Sequence, residues 1–173
     1  MGLFTNFKRN HRRNKAWNEA RSYRQAGDFA DAAKVWERLA PEALEYNELI
    51  YADDCRDAFK LYLQARDPES ALRNARNALR VISDSGWITK SGHTVDDICN
   101  MVGELYGGGY APAADVLSSE INAELVKHDL PPRFETKHGK FPTACPQCGG
   151  TLPFTYSDVS IICPFCSAVI RAE

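Results

Sequence analysis

The chain has 173 residues, of which 44% are apolar and 25% charged, with a formal net charge of −2. That length holds one medium domain, or a medium domain plus a small one. No run approaches the roughly 18 apolar residues that would suggest a membrane span.

The opening residues, Met1-Gly2-Leu3-Phe4-Thr5-Asn6, lack the apolar core of a signal peptide, and Asn6 stands where a myristoylation signal wants Ser or Thr. We expect no transmembrane segment and a cytoplasmic location. Charge is unevenly spread. Residues 1–15 carry Lys8, Arg9, Arg12, Arg13 and Lys15 with no acid, which leaves about −7 on the other 158. Residues 1–14 are expected to form a basic N-terminal arm, frayed and solubilising. Leu3, Phe4 and Phe7 make it suited to an interface or a membrane surface.

From Lys15 the pattern turns helical, with Trp17, Ala20 and Tyr23 at spacings of three and a break at Gly27-Asp28. A second helix carries Ala32, Ala33, Trp36 and Leu39 on one face. A long helical stretch from about Pro41 to Ala65 follows, with Leu44, Tyr51, Cys55, Ala58 and Tyr62. Arg66-Asp67-Pro68-Glu69 is a turn, and Pro68 suits the first position of the next helix, which lines up Ala71, Ala75 and Ala78. A Ser- and Gly-rich loop is expected from Ser83 to His93. Thr94 with Asp97 then opens a helix with the stripe Val95, Ile98, Cys99, Val102 and Leu105. Gly107-Gly108-Gly109-Tyr110 ends it, and Pro112 opens a last helix with Ala113, Leu117, Ile121 and Leu125 on one face.

The segment Gly27-Asp28-Phe29-Ala30-Asp31-Ala32-Ala33-Lys34-Val35-Trp36 resembles the inter-helix turn and second helix of a tetratricopeptide repeat (TPR). Small residues at Ala20 and Ala32 and aromatics at Tyr23 and Trp36 stand where that family places small and bulky groups. Ala32, Ala71 and Ala113 mark three helix pairs at intervals of 39 and 42, longer than the roughly 34 of the standard repeat. The second turn lacks the glycine, and Glu104 stands where the third repeat wants Tyr. The resemblance implies a TPR-like stack over residues 15–129, with a surface that takes peptides or partner helices.

Leu130-Pro131-Pro132-Arg133 ends the helical part, and residues 130–143 form a linker with Arg133, Lys137, His138 and Lys140. Cys145-Pro146-Gln147-Cys148 follows, answered by Cys163-Pro164-Phe165-Cys166 with fourteen residues between the pairs. Each pair turns two thiolates toward one point, and two pairs make a tetrahedral S4 cage for one structural Zn2+. Strands are expected over Thr151 to Tyr156, Val159 to Ile162 and Ala168 to Arg171, with a turn at Ser157-Asp158. Two metal knuckles joined by a hairpin resemble a zinc ribbon over residues 144–173. An iron site of the rubredoxin kind shares the knuckles but wants a longer loop between them. A redox dithiol leaves one of the two matched pairs unexplained.

The expected fold is therefore mainly α, a TPR-like α-hairpin array with a small C-terminal β zinc ribbon. No catalytic constellation stands out. Asp53-Asp54 and Asp96-Asp97 are neighbours that point about 100° apart on a helix, so they read as solvated faces or first-turn charges. His11, His93, His128 and His138 are isolated, and Cys55 and Cys99 fall on apolar faces. The expected role is a non-enzymatic adaptor binding protein partners within a larger complex. A nucleic-acid- or ribosome-associated factor using the basic N-terminal arm, residues 8–15, and the basic linker is the first rival; the ribbon itself is a poor phosphate surface, because residues 144–173 hold Arg171 as their one basic residue. An accessory subunit of an enzyme complex with a rubredoxin-like site is the second.

Overall fold

Helix periodicity governs most of the chain, and seven helices follow one another among the described residues. The computed structural model describes residues 3–134, 145–150, 160–163 and 165–171. Two units separate between Pro132 and Arg133.

In the first unit the helices are α1 (Leu3–Ala26), α2 (Phe29–Leu44), α3 (Glu48–Gln64), α4 (Pro68–Asp84), α5 (Trp87–Lys90), α6 (Gly92–Gly107) and α7 (Ala111–Lys127). α1 packs on α2, α2 on α3 and α3 on α4. α4 meets both α6 and α7, which pack on each other. Alanines at the crossings let backbones approach, and Ala32, Ala33, Ala58, Ala71, Ala75 and Ala114 are buried. Phe59, Ile82, Met101, Leu105, Leu117, Ile121 and Leu125 fill the space between.

One turn recurs three times. After α1 the Asp28 N–H bonds the Tyr23 carbonyl and the Ala32 N–H bonds the Asp28 carbonyl; after α3 Asp67 bonds Tyr62 and Ala71 bonds Asp67. After α6 Tyr110 bonds Leu105 and Ala114 bonds Tyr110. The residue before each junction takes a left-handed conformation, Gly27 at φ 85°, Arg66 at 59° and Gly109 at 83°. This fixes the register. The third marker is Ala114, which is buried, and not Ala113, so the intervals are 39 and 43. Leu105, fully buried, holds the position expected for Glu104. Arg66 explains the second turn without glycine: it adopts the left-handed backbone at a steric cost.

Four boundaries differ from expectation. The first helix starts at Leu3, so residues 3–14 are the first half of α1 and not a separate frayed arm. The reason is tertiary. Arg13 donates two hydrogen bonds to Asp54 on α3, at 2.9 and 2.5 Å, and Arg12 pairs with Glu42 on α2 at 3.3 Å. Pro41 lies inside α2 and does not open α3. α3 begins instead after Asn47, whose side chain accepts from the N–H of Leu49 and of Ile50. The Ser83–His93 stretch contains the one-turn α5, and α6 starts at Gly92 ahead of Thr94.

Two aromatics of the first helix are turned to solvent. Trp17 is 51% exposed, and Tyr23 is 36% exposed. Asp54 reverses the other way: it was expected to be solvated and is 1% exposed. Burial pushes its carboxyl up from the ordinary value, and the Arg13 guanidinium pulls it down. The Glu37 carboxylate of α2 ties three helices. It accepts from Tyr62 Oη at 2.9 Å, and from Arg73 and Asn74 at 2.8 Å each.

In the second unit β1 (Ser160–Ile162) pairs antiparallel with β2 (Val169–Arg171), Ile161 opposite Ile170. These are the second and third expected strands. Thr151 to Tyr156 and Ser157-Asp158 lie outside the described residues, as do the linker residues Lys137, His138 and Lys140 and the side chains of Leu3, Phe4, Phe7, Lys8 and Arg9. No helix among the described residues is long and apolar enough to cross a membrane.

Candidate metal centre

The two Cys-x-x-Cys turns are built alike. In the first, the Cys145 N–H bonds the Gly150 carbonyl and the Gly149 N–H bonds the Cys145 carbonyl, both at 2.8 Å. In the second, Cys163 bonds Ala168 and Ser167 bonds Cys163, again at 2.8 Å. Each turn needs a left-handed residue just after its second cysteine, and Gly149 (φ 72°) and Ser167 (φ 61°) supply it. This folding rotates both thiols of a pair to the same side.

The result is that Cys145, Cys148, Cys163 and Cys166 place their Sγ atoms within 4.8 Å of one another. The cross-pair separations Cys145–Cys166 and Cys148–Cys163 are 3.6 Å. A disulfide needs about 2.05 Å, and all four thiols are free. A tetrahedral ion with metal–sulfur bonds of about 2.3 Å sets its ligands about 3.8 Å apart. The four sulfurs are therefore placed to hold one metal ion. Cys145 and Cys163 are buried and pack against Ala168, while Cys148 and Cys166 face solvent.

Backbone N–H groups prepare the sulfurs for negative charge. Burial would push the Cys163 thiol up, but the N–H groups of Phe165 and Cys166 outweigh it and bring it down to about 7. The Gly150 N–H acts on Cys148 and the Ala168 N–H on Cys166 in the same sense. Burial with the sulfurs of Cys163 and Cys145 still leaves Cys148 raised, although Cys166 lowers it, and Cys148 with burial pushes Cys166 to about 12. One thiolate thus suppresses the next, and a divalent cation is the charge that lets all four ionise together.

Gly150 is a site residue that spacing did not identify. A Cβ added there would meet the Phe165 ring at 2.4 Å, so the two knuckles touch at this position and a larger residue would have to displace the exposed Phe165 ring. Cys-Pro-Phe-Cys opposite Cys-x-x-Cys-Gly-Gly carries the signal, but only the folded pairing says which glycine Phe165 covers.

No protein-family model, no curated protein and no solved structure matches this chain.

The remaining expected residues are not gathered at the cluster. Cys55 is buried in α3, where burial raises its thiol to about 12, and Cys99 is half-buried on α6. His11 and His93 are exposed, and His138 lies outside the described residues. His128 is not isolated: its Nε2 lies 2.9 Å from Ser83 Oγ, which donates to Glu124 at 2.5 Å. The residue types match a Ser-His-Glu triad, but the order does not. Nucleophilic activation needs His between the other two, taking the serine proton. Here Ser83 stands in the middle, gives its proton to Glu124 and is 2% exposed. The cluster ties α4 to the end of α7.

Proposed function

We propose that this protein is a non-enzymatic adaptor, with a TPR-like helical array for a protein partner and a C-terminal zinc ribbon as a second contact. The domains are the array over residues 15–129, extended toward the N-terminus by the start of α1, and the ribbon over 144–173. The observation that carries the reading is the pair of matched turns that bring four sulfurs within 4.8 Å. Cys145, Cys148, Cys163 and Cys166 are the ligands, and Zn2+ is the ion. Four thiolates close a tetrahedral ion to water and substrate, so the metal serves shape and not catalysis. The array reading is supported by the turn repeated at Gly27, Arg66 and Gly109. Its location is cytoplasmic, where thiols stay reduced for metal.

Nucleic-acid binding is weaker on the same observations. Arg12 and Arg13 are engaged with Glu42 and Asp54, and a phosphate surface needs several free Lys or Arg together. Elemental analysis with an absorbance spectrum tests the metal. One zinc per chain without visible colour agrees with the proposal; iron with a visible band replaces it with the electron-carrying accessory subunit. Crosslinking capture from the native cell tests the adaptor role, which falls if no protein crosslinks to the chain above a mock control.

A further inference from the structure

We propose that the groove between α1 and α2 is a docking surface for an acidic amphipathic helix of a partner protein. This rests on the adaptor reading and names the chemistry of one partner.

The second helix pair shows the same face covered. In the register that matches Tyr23 to Tyr62, Arg56 and Lys60 of α3 hold the positions of Trp17 and Arg21, and α6 brings Asp97 to Arg56 at 2.7 Å and Glu104 to Lys60 at 3.6 Å. Arg21 has no such ion pair among the described residues.

A groove of about 540 Å3 marks the place. It is lined by Trp17, Ala20, Arg21 and Arg24 of α1 and by Phe29 and Trp36 of α2, with no residue of α3. Positions 17, 20, 21 and 24 share one side of α1, so the groove runs along a helix axis. Trp17 presents half of its surface to solvent, and the Arg21 guanidinium lies 5.4 Å from its ring centre. A face meant only for water would be polar. This one carries three large aromatics.

Charge selects the occupant. Arg21 and Arg24 make no ion pair among the described residues, and no acid lines the groove. A second copy of the chain would bring the same arginines against them in a two-fold contact. The chain's own 133–140 segment is basic, with Arg133, Lys137 and Lys140. A partner helix with an apolar ridge for Trp17, Phe29 and Trp36 and flanking Asp or Glu for the arginines satisfies both features. α6 sets the internal precedent, since it brings the Asp97 and Glu104 carboxylates to Arg56 and Lys60 of the preceding pair.

The test is selection of a displayed peptide library, each member bearing an apolar i, i+3, i+4, i+7 stripe with randomised flanks, on the full chain. We expect recovered peptides to be enriched in Asp and Glu and to quench tryptophan fluorescence. Affinity should fall about tenfold or more with Arg21→Glu/Arg24→Glu and with Trp17→Ala, and survive in Arg21→Lys/Arg24→Lys. Unchanged helical circular dichroism in each variant excludes unfolding as the cause. Recovery without acidic bias, equal binding to the Arg→Glu variant, or self-association lost with Trp17→Ala would overturn the proposal. The same Arg→Glu variant in the crosslinking capture separates the two readings. A partner retained by it leaves the adaptor standing and removes this face. A wild-type chain that captures nothing removes both.

Discussion

The helical unit and the cysteine unit are stabilised in opposite ways. The first buries whole side chains, Phe59, Ile82, Met101, Leu105, Leu117, Ile121 and Leu125 among them. Among the described residues of the second, the buried ones are Cys145 and Cys163, with Ala168 partly covered against them. Apolar burial grows with the amount of chain available, and the segment Arg133–Glu173 is too short for a core of its own. What stands in for a core there is sulfur brought to one point. The contrast is between water leaving apolar surface in one unit and, in the other, four sulfurs placed where an ion could neutralise their charge.

The sharpest way to break that comparison is to remove one sulfur. In Cys163→Ser we expect metal binding to be lost and the 145–171 region to unfold, while the helical circular dichroism signal stays nearly intact. Loss of the whole helical signal would show that the units fold as one. Chelation of the wild-type protein should reproduce the effect.

Next in size is Arg13→Leu, which strands the Asp54 carboxylate in the interior. Breaking a buried pair on one side typically costs about 3 kcal/mol or more, to be read from chemical denaturation of the helical unit. Metal content should not change. An effect within error would mean that residues 3–14 fray in solution after all.

Acid sharpens the contrast further. Burial alone would raise the Glu37 carboxyl, but hydrogen bonds from Arg73, Asn74 and Tyr62 hold it below its ordinary value. Ser70 N–H does the same for Asp67, and Ser83 for Glu124. Carboxyls depressed in the folded state contribute stability that is present above the unfolded value and lost as pH falls through the folded one. Stability of the helical unit should therefore be level above about pH 5 and decline below about pH 4.5, and Glu37→Gln should flatten that decline. Asp54, raised by burial, works with the opposite sign and blunts it. Equilibrium denaturation across this range is the measurement.

The smallest effect is a gain. Arg66 sits at φ 59° where the matching turns have Gly27 and Gly109. Arg66→Gly should stabilise the helical unit by about 0.5–1 kcal/mol, relieving the left-handed strain at some entropic cost in the unfolded chain. No gain would mean that the Arg66 side chain returns as much as its backbone costs.

Much of the helical unit was legible before folding. Apolar spacing placed the stripes Val95–Leu105 and Leu117–Leu125, and Gly27, Pro68 and Gly109 punctuated the turns, because backbone preference and periodicity act over a few residues. The cysteine cluster was equally legible: Cys-x-x-Cys spacing is a local geometry, and two matched copies leave little else to do. Ala113 was misplaced by one position, since alanine neighbours carry no signal of which one faces inward. The basic start of α1 was misread because Arg12 and Arg13 look solvated until Glu42 and Asp54 arrive from 30 and 41 residues away. Trp17 and Tyr23 were placed on one spacing with Ala20, and periodicity alone does not say that both stand open to solvent. The amino-acid order by itself determined most of the helical segments, three of their turns and which four sulfurs converge, because those are short-range consequences of side-chain and backbone chemistry. Tertiary structure alone decided which charge is buried against which, which alanine sits at a crossing and which aromatic face is left open, because each depends on what another part of the chain brings to that point in space.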